Sequence, residues 1–242
     1  MFKKFLSCSL ILMGMSAAVV NADPVVVTYL SAFDGTTEKG TINGDGFYAY
    51  TGLYNITVDG TAYKTFCIDP LGGIDPNDTW YANHLSAEEI AAGNGELFTA
   101  TYSNTAVALE KYAMINYLAD KSFYLYTDMP DSRLDSPAER SDLSLLYWEI
   151  ALDYNGSLGS MNLEKGEFTS TTTSMNTNLS DLLSEAYNHK SDELTMSIFS
   201  PLQNPSQEFL AFKVASVPEP AVLPLLGIGL FMIGLSVRRK KS

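Results

Sequence analysis

Cys67 closes the segment Tyr63-Lys64-Thr65-Phe66-Cys67-Ile68-Asp69, and Cys8, the chain's other cysteine, lies in an apolar N-terminal run. A solitary thiol has three readings. It can be a small buried hydrophobe, a partner for a disulfide to another chain outside the cytoplasm, or a nucleophile. The remaining chemistry-bearing residues form no catalytic set. His84 and His189 stand 105 positions apart without ligand-spaced partners. There is no Gly-x-Ser-x-Gly elbow, no phosphate-cradling glycine loop and no Cys-x-x-Cys. Asp75-Pro76-Asn77-Asp78-Thr79 looks like half a calcium loop. However, Trp80 stands where the sixth-position glycine belongs and Ser86 where the twelfth-position glutamate belongs. Asp75, Asn77 and Asp78, with Asp69 close in sequence, are therefore weak metal candidates. The pairs Glu88-Glu89 and Glu149 with Asp153 read as solvated faces or helix pairs. Trp148 reads as core, with its indole N–H satisfied internally. No cofactor is expected, and the chain reads as a non-enzyme.

The elements that must position Cys67 follow from pattern. Pro24 to Leu30 is β-branched and aromatic, hence a strand. Thr36 to Gly46 is rich in Gly, Thr, Asn and Asp and reads as a loop or turn. Phe47 to Val58 and Thr61 to Ile68 flank Asp59-Gly60, a hairpin turn. That turn sets Val58 opposite Thr61 and Ile56 opposite Tyr63. One face, with Tyr54, Ile56, Val58, Tyr63, Thr65 and Cys67, is expected to be buried. Ser103 to Asp120 has helical spacing. Ser136-Pro137-Ala138-Glu139 is a capping box with proline at the first helical position. It starts a helix to about Asp153 that is apolar over most of its surface and should be largely buried, with Asp142, Glu149 and Asp153 as a polar stripe. Thr169 to Ser174 reads as a loop, Leu179 to Ala186 as a short helix, and Leu194 to Phe199 and Glu208 to Val214 as strands. The order strands, helices, strands predicts an α+β domain: a β-sandwich or barrel with a helical insertion.

Both ends read as addresses. Lys3 and Lys4 precede an apolar run, and Val20-Asn21-Ala22 offers small residues, so residues 1–22 read as a signal peptide. A retained anchor is the alternative. At the other end Val217-Pro218-Glu219-Pro220 precedes an apolar run from Ala221 to Val237 and the cations Arg238, Arg239, Lys240 and Lys241. Seventeen residues at a helical rise span about 26 Å, the lower end of a single transmembrane helix. The four cations place the preceding chain outside the cytoplasm. An ordinary anchor or a core helix are the plainer readings. The arrangement over residues 217–242 resembles the PEP-CTERM sorting signal of Gram-negative bacteria. That resemblance implies export across the inner membrane, an exosortase-type processing enzyme as partner, and transient or retained contact with the membrane.

The stretch between the addresses, residues 23–216, has the length of one domain. Six of the fifteen Lys and Arg residues and one of the 28 acids lie in the terminal segments, leaving nine bases against 27 acids, a net charge of −18. Such a surface excludes nucleic acid and anionic lipid as partners. Two segments here, Phe66-Cys67-Ile68-Asp69 and Leu143-Ser144-Leu145-Leu146-Tyr147-Trp148-Glu149, resemble the motifs of thioester-type surface domains in bacterial adhesins. In that family an aromatic-Cys-aliphatic-Asp motif pairs with a helix Leu-Gln-x-Ala-Ile-Trp-Glu, and Cys and Gln can form an internal thioester that traps a nucleophile. The resemblance spans roughly residues 47–214. It implies Cys67 and Ser144 as the thioester-like positions, and Ser144 has no carboxamide carbon. The chain's glutamines are Gln203 and Gln207. Gln207 reaches Cys67 only if the last strand packs beside the cysteine strand. The expectation is therefore a fold kept and a covalent chemistry absent. It describes a structural or adhesive protein of the cell surface or extracellular matrix, with an exopolysaccharide or surface ligand. A covalent adhesin using Cys67 and a secreted hydrolase using acidic residues are the alternatives.

Overall fold

In the computed structural model, residues 24–123, 136–171, 178–203 and 207–211 are described. The expected signal peptide, the sorting motif Val217 to Pro220, the transmembrane segment 221–237 and the cations Arg238 to Lys241 lie outside them. Among the described residues no helix is long and apolar enough to cross a membrane.

The Asp59-Gly60 turn does what its chemistry dictates. Both residues have positive φ, 48° and 80°, as a primed turn requires. It joins β2 (Asp45–Val58) to β3 (Thr61–Phe66) with Val58 opposite Thr61 and Ile56 opposite Tyr63. The Asp59 carboxylate also accepts the Val26 N–H at 2.9 Å, tying the turn to β1 (Pro24–Ile42). The stretch read as a loop or turn, Thr36 to Gly46, holds a turn but is otherwise strand. β1 runs on to Ile42 and pairs with β2 as far as Ile42–Asp45, around an Asn43-Gly44 turn with φ 54° and 86°. Its glycines are where backbones meet: a Cβ on Gly40 would lie 1.9 Å from the Thr169 carbonyl oxygen. That carbonyl belongs to β5 (Phe168–Ser170), which pairs with β1 where a loop was expected.

β4 (Thr79–Leu85), β6 (Ser197–Pro201) and β7 (Phe209–Ala211) complete an antiparallel sheet of order β3-β2-β1-β4-β6-β7. The sheet then closes. Cys67, just past β3, bridges Phe209 of β7, and Ile68 donates its N–H to the Glu208 carbonyl at 3.0 Å. Closure turns one face into a barrel interior, where Val27, Tyr29, Tyr54, Ile56, Cys67, Trp80, Phe199 and Phe209 pack together. The other face is buried too. Leu53, Phe66 and Ile68 lie beneath helices, in a second and larger core. The hairpin thus has no solvent face near its base, where one apolar face was expected.

The helices lie between β4 and β6: α1 (Ala87–Ala91), α2 (Ala108–Phe123), α3 (Pro137–Asp153) and α4 (Asn178–Asn188). The fold is mixed helix and antiparallel sheet, as the α+β reading requires. α3 starts at the capping box. Ser136 Oγ accepts the Glu139 N–H at 3.2 Å, and Glu139 accepts the Ser136 N–H at 2.9 Å. Every residue from Arg140 to Asp153 is buried. This includes the polar stripe, so the solvated reading of Glu149 and Asp153 is corrected. Loop 161–168 folds over them. Glu149 accepts the Asn162 N–H at 2.5 Å, and Asp153 accepts those of Glu167 and Phe168 at 2.6 and 3.1 Å. Buried carboxyl groups persist only with such partners. On α2, Lys111 is buried likewise, donating to the carbonyls of Ser103 and Ala151 at 2.9 and 2.7 Å.

Candidate functional site

Cys67 sits where the barrel is sealed. Its side chain is fully buried in the inner core, and Sγ–H donates to the Asp69 carbonyl at 3.1 Å. From outside the barrel the Trp148 indole N–H of α3 donates to the Cys67 carbonyl at 3.3 Å. The expected internal satisfaction of that indole is therefore met by the cysteine's own backbone. Burial, and after it the charge of Asp69, push the thiol pKa well up. The resting group is a neutral thiol rather than a thiolate.

Three carboxyl groups surround this end of the barrel. Asp69 is buried, and its Oδ1 accepts the Tyr102 hydroxyl and the N–H groups of Leu71 and Gly72 at 2.9 and 3.3 Å. Burial raises its pKa, and these donors pull it back. Glu208 is fully buried, accepting the Glu96 N–H at 2.9 Å and the Tyr112 hydroxyl at 2.8 Å. Burial lifts it to about 8. Glu96, half-buried, is raised by burial and then by Asp69. No local sequence pattern points to Glu208, Tyr102 or Tyr112. They meet only because β7 returns to β3 and α2 lies across the join. Gly95 fits beneath Tyr112 at φ +125°, and a Cβ there would stand 2.2 Å from the hydroxyl. Gly95→Ala is expected to lower stability by about 2–4 kcal/mol, through backbone strain and loss of the Tyr112 contacts, read as a lower urea midpoint.

The condition set for Gln207 is met. The strand after it packs beside Cys67, and continuing the Cys67–Phe209 register puts Gln207 across from Asp69, diagonal to the thiol. Diagonal neighbours lie within reach of a long side chain. Gln207 is 8% exposed. Its Nε2 donates to the Gly72 carbonyl at 2.6 Å, while its Oε1 is buried with no partner among the described residues. An unmet acceptor of that kind costs about 1–3 kcal/mol, so the carboxamide is buried with its carbonyl unused.

Ser144 stands on the neighbouring rung. The Leu53–Phe66 pair places Gly52 across from Cys67, and Ser144 Oγ accepts the Gly52 N–H at 2.8 Å. One turn earlier, Ser141 accepts the Thr36 N–H at 2.7 Å and donates to the Thr51 carbonyl at 3.1 Å. Both serines serve backbone groups where β1 and β2 pinch together. There a Cβ on Gly35 would meet the Thr51 oxygen at 1.9 Å. Ser144 is thus occupied in holding strand to helix.

The other candidates lie apart from the thiol. Asp75, Asn77 and Asp78 form an exposed turn closed on itself, with Asp78 Oδ2 accepting the Asp75 N–H at 2.8 Å. Among the described residues no group of three or more His, Cys, Asp or Glu side chains is placed to hold a metal ion. His84 packs at a tilt against Phe199 with ring centres 4.8 Å apart and bonds Ser197 at 3.0 Å. His189 stacks on Tyr117 at 4.2 Å and pairs with Asp192. An open cleft of about 830 Å³ is lined by Tyr63, His84, Glu88, Asp120, Thr195 and Leu210 among others, and excludes Cys67 and Gln207. Its Asp120 is raised by burial but bonded to Asn116 and Thr195.

No family model matches the chain, and no curated protein matches it. Among solved structures, it is similar to the N-terminal thioester domain of fibronectin-binding protein SfbI from Streptococcus pyogenes. The likeness has 11% identity and a TM-score of 0.38, and covers 76% of this chain and 96% of that domain.

Proposed function

We propose that this chain is an exported surface protein whose barrel attaches covalently to a target through an internal thioester between Cys67 and Gln207. One observation carries the reading: a buried thiol and a buried carboxamide, whose carbonyl oxygen has no partner among the described residues, share the seam of a closed barrel. The Cys67 sulfur attacks the Gln207 carboxamide carbon. The C–N bond breaks, and the thiol proton leaves with the amide nitrogen as ammonia. An amine on a target then attacks the thioester carbonyl. This restores the thiol and leaves an amide bond to Gln207. The chain is consumed once per target, so it does not turn over as an enzyme. The acidic surface favours cationic amines as targets. The segment from Val217 to Lys241 supports export and exosortase-type processing, with the surface or extracellular matrix as destination.

The test is intact mass of the domain purified from a native-like host. It is expected to be lighter by one ammonia and to gain the mass of methylamine on incubation with it. Full mass with one thiol titratable on unfolding removes the covalent reading and returns the domain to a non-covalent structural or adhesive role.

A further inference from the structure

We propose, on the thioester reading above, that loop 69–74 is a lid over Cys67 whose two side-chain latches are the two donors that thioester formation consumes. Between Ile68 and Thr79 the chain forms neither helix nor strand. The two ends of this loop are fixed by contacts the chemistry leaves alone. Asp69 Oδ1 accepts the N–H groups of Leu71 and Gly72. At the far end Tyr29 donates to the Asp78 carbonyl at 2.9 Å, and Asn77 donates to that of Tyr29 at 2.7 Å. Ile74 packs on the inner core that contains Cys67, so the loop and the thiol share one core. Its outer side is open: an added Cβ on Gly73 meets nothing within 4 Å.

Two side chains of the site hold this loop. Cys67 Sγ–H donates to the Asp69 carbonyl at 3.1 Å, and Gln207 Nε2 donates to the Gly72 carbonyl at 2.6 Å. In the thioester the sulfur has no proton and the acyl carbon has no nitrogen, because both leave together as ammonia. The two carbonyls lose their donors at the moment the reactive bond exists, leaving the Asp69 turn and the packing of Ile74 to hold the loop. Before acylation the lid is shut over an inert thiol. After it, the lid is free to open toward an incoming amine.

Hydrogen exchange on three proteins tests this: wild type that has lost ammonia, Cys67→Ala, and Cys67→Ala with Gln207→Met. The second keeps the amide latch without a thioester, and the third lacks both. The amides of Leu71 and Gly72, which the Asp69 turn protects, are expected to exchange about tenfold faster in wild type and in the double variant than in Cys67→Ala. The amides of the β1–β2 ladder should stay protected in all three, reporting intact folding. Cys67→Ser, alone and with Gln207→Met, repeats the comparison in a second background. Equal loop exchange with and without Gln207 overturns the latch. A wild-type chain of full mass overturns the thioester and the release with it, while the variant pair still reports whether the amide holds the loop.

Discussion

Gln207→Ala is expected to leave the domain at full mass and unreactive toward methylamine, whereas Ser144→Ala still loses ammonia. The argument is geometric. The acyl donor must bring a carboxamide carbon to the sulfur, and continuing the Cys67–Phe209 register puts Gln207 diagonal to Cys67, with its carbonyl oxygen unpartnered among the described residues. Ser144 faces the Gly52 backbone instead. Removing its hydroxyl orphans a buried N–H and is expected to cost about 1–3 kcal/mol in a denaturant melt without touching the reactive pair. The reciprocal variant, Ser144→Gln with Gln207→Ala, separates the two positions further. Intact mass should show no recovery of ammonia loss, since the side chain at 144 must first give up its place against the strand. Recovery would make the helix the source of the acyl group and undo the assignment to Gln207.

Stability should fall by about 3–6 kcal/mol as the pH rises from about 5 to 8. Burial, helped by the charge of Asp153, raises Glu149 to about 8, and burial raises Glu208 to about 8. In the unfolded chain both ionise near 4.5. Between those limits the native state holds protons that the unfolded state has lost, so each rise in pH favours unfolding. The stabilisation is complete below the unfolded value and gone above the folded one. Asp142, raised to about 7 by burial and then by Glu38 and Glu139, adds in the same direction. Lys111, lowered to about 8 by burial, is charged in both states over most of this window and begins to lose its proton in the native state only at its upper end. Above it, Lys111 works the opposite way. Thermal melts across the range check the slope, and Glu149→Gln should remove about half of it. A midpoint that climbs from pH 5 to 8 would show these carboxyls ionised in the native barrel.

What the sequence disclosed was local. The Asp59-Gly60 turn and the Ser136 capping box depend on neighbours within four positions, and both form as read. The seam does not, because Cys67 and Phe209 lie 142 positions apart. Nothing in either segment announces the other, so Gln207 looked remote and Ser144 looked like the residue to examine. The strand within Thr36 to Gly46 was hidden for another reason. Its glycines suit a loop by composition, but here they serve close backbone approach, and Asn43-Gly44 supplies the turn. Glu149 and Asp153 looked solvated because helical spacing cannot show that a distant loop will cover the polar stripe.

Three residues of β7 and one bridge seal the barrel, and Gln207 precedes them by only two positions. That placement decides how a captured target would be held under load. On the covalent reading proposed above, a target bonded to the Gln207 side chain and pulled against an anchor on the C-terminal side would draw its force line through residues 207 to 211. The helices, both cores and every other strand lie off that line. Tension would peel β7 and straighten a few backbone bonds, while the grip itself, an amide, stays intact even with the barrel slack.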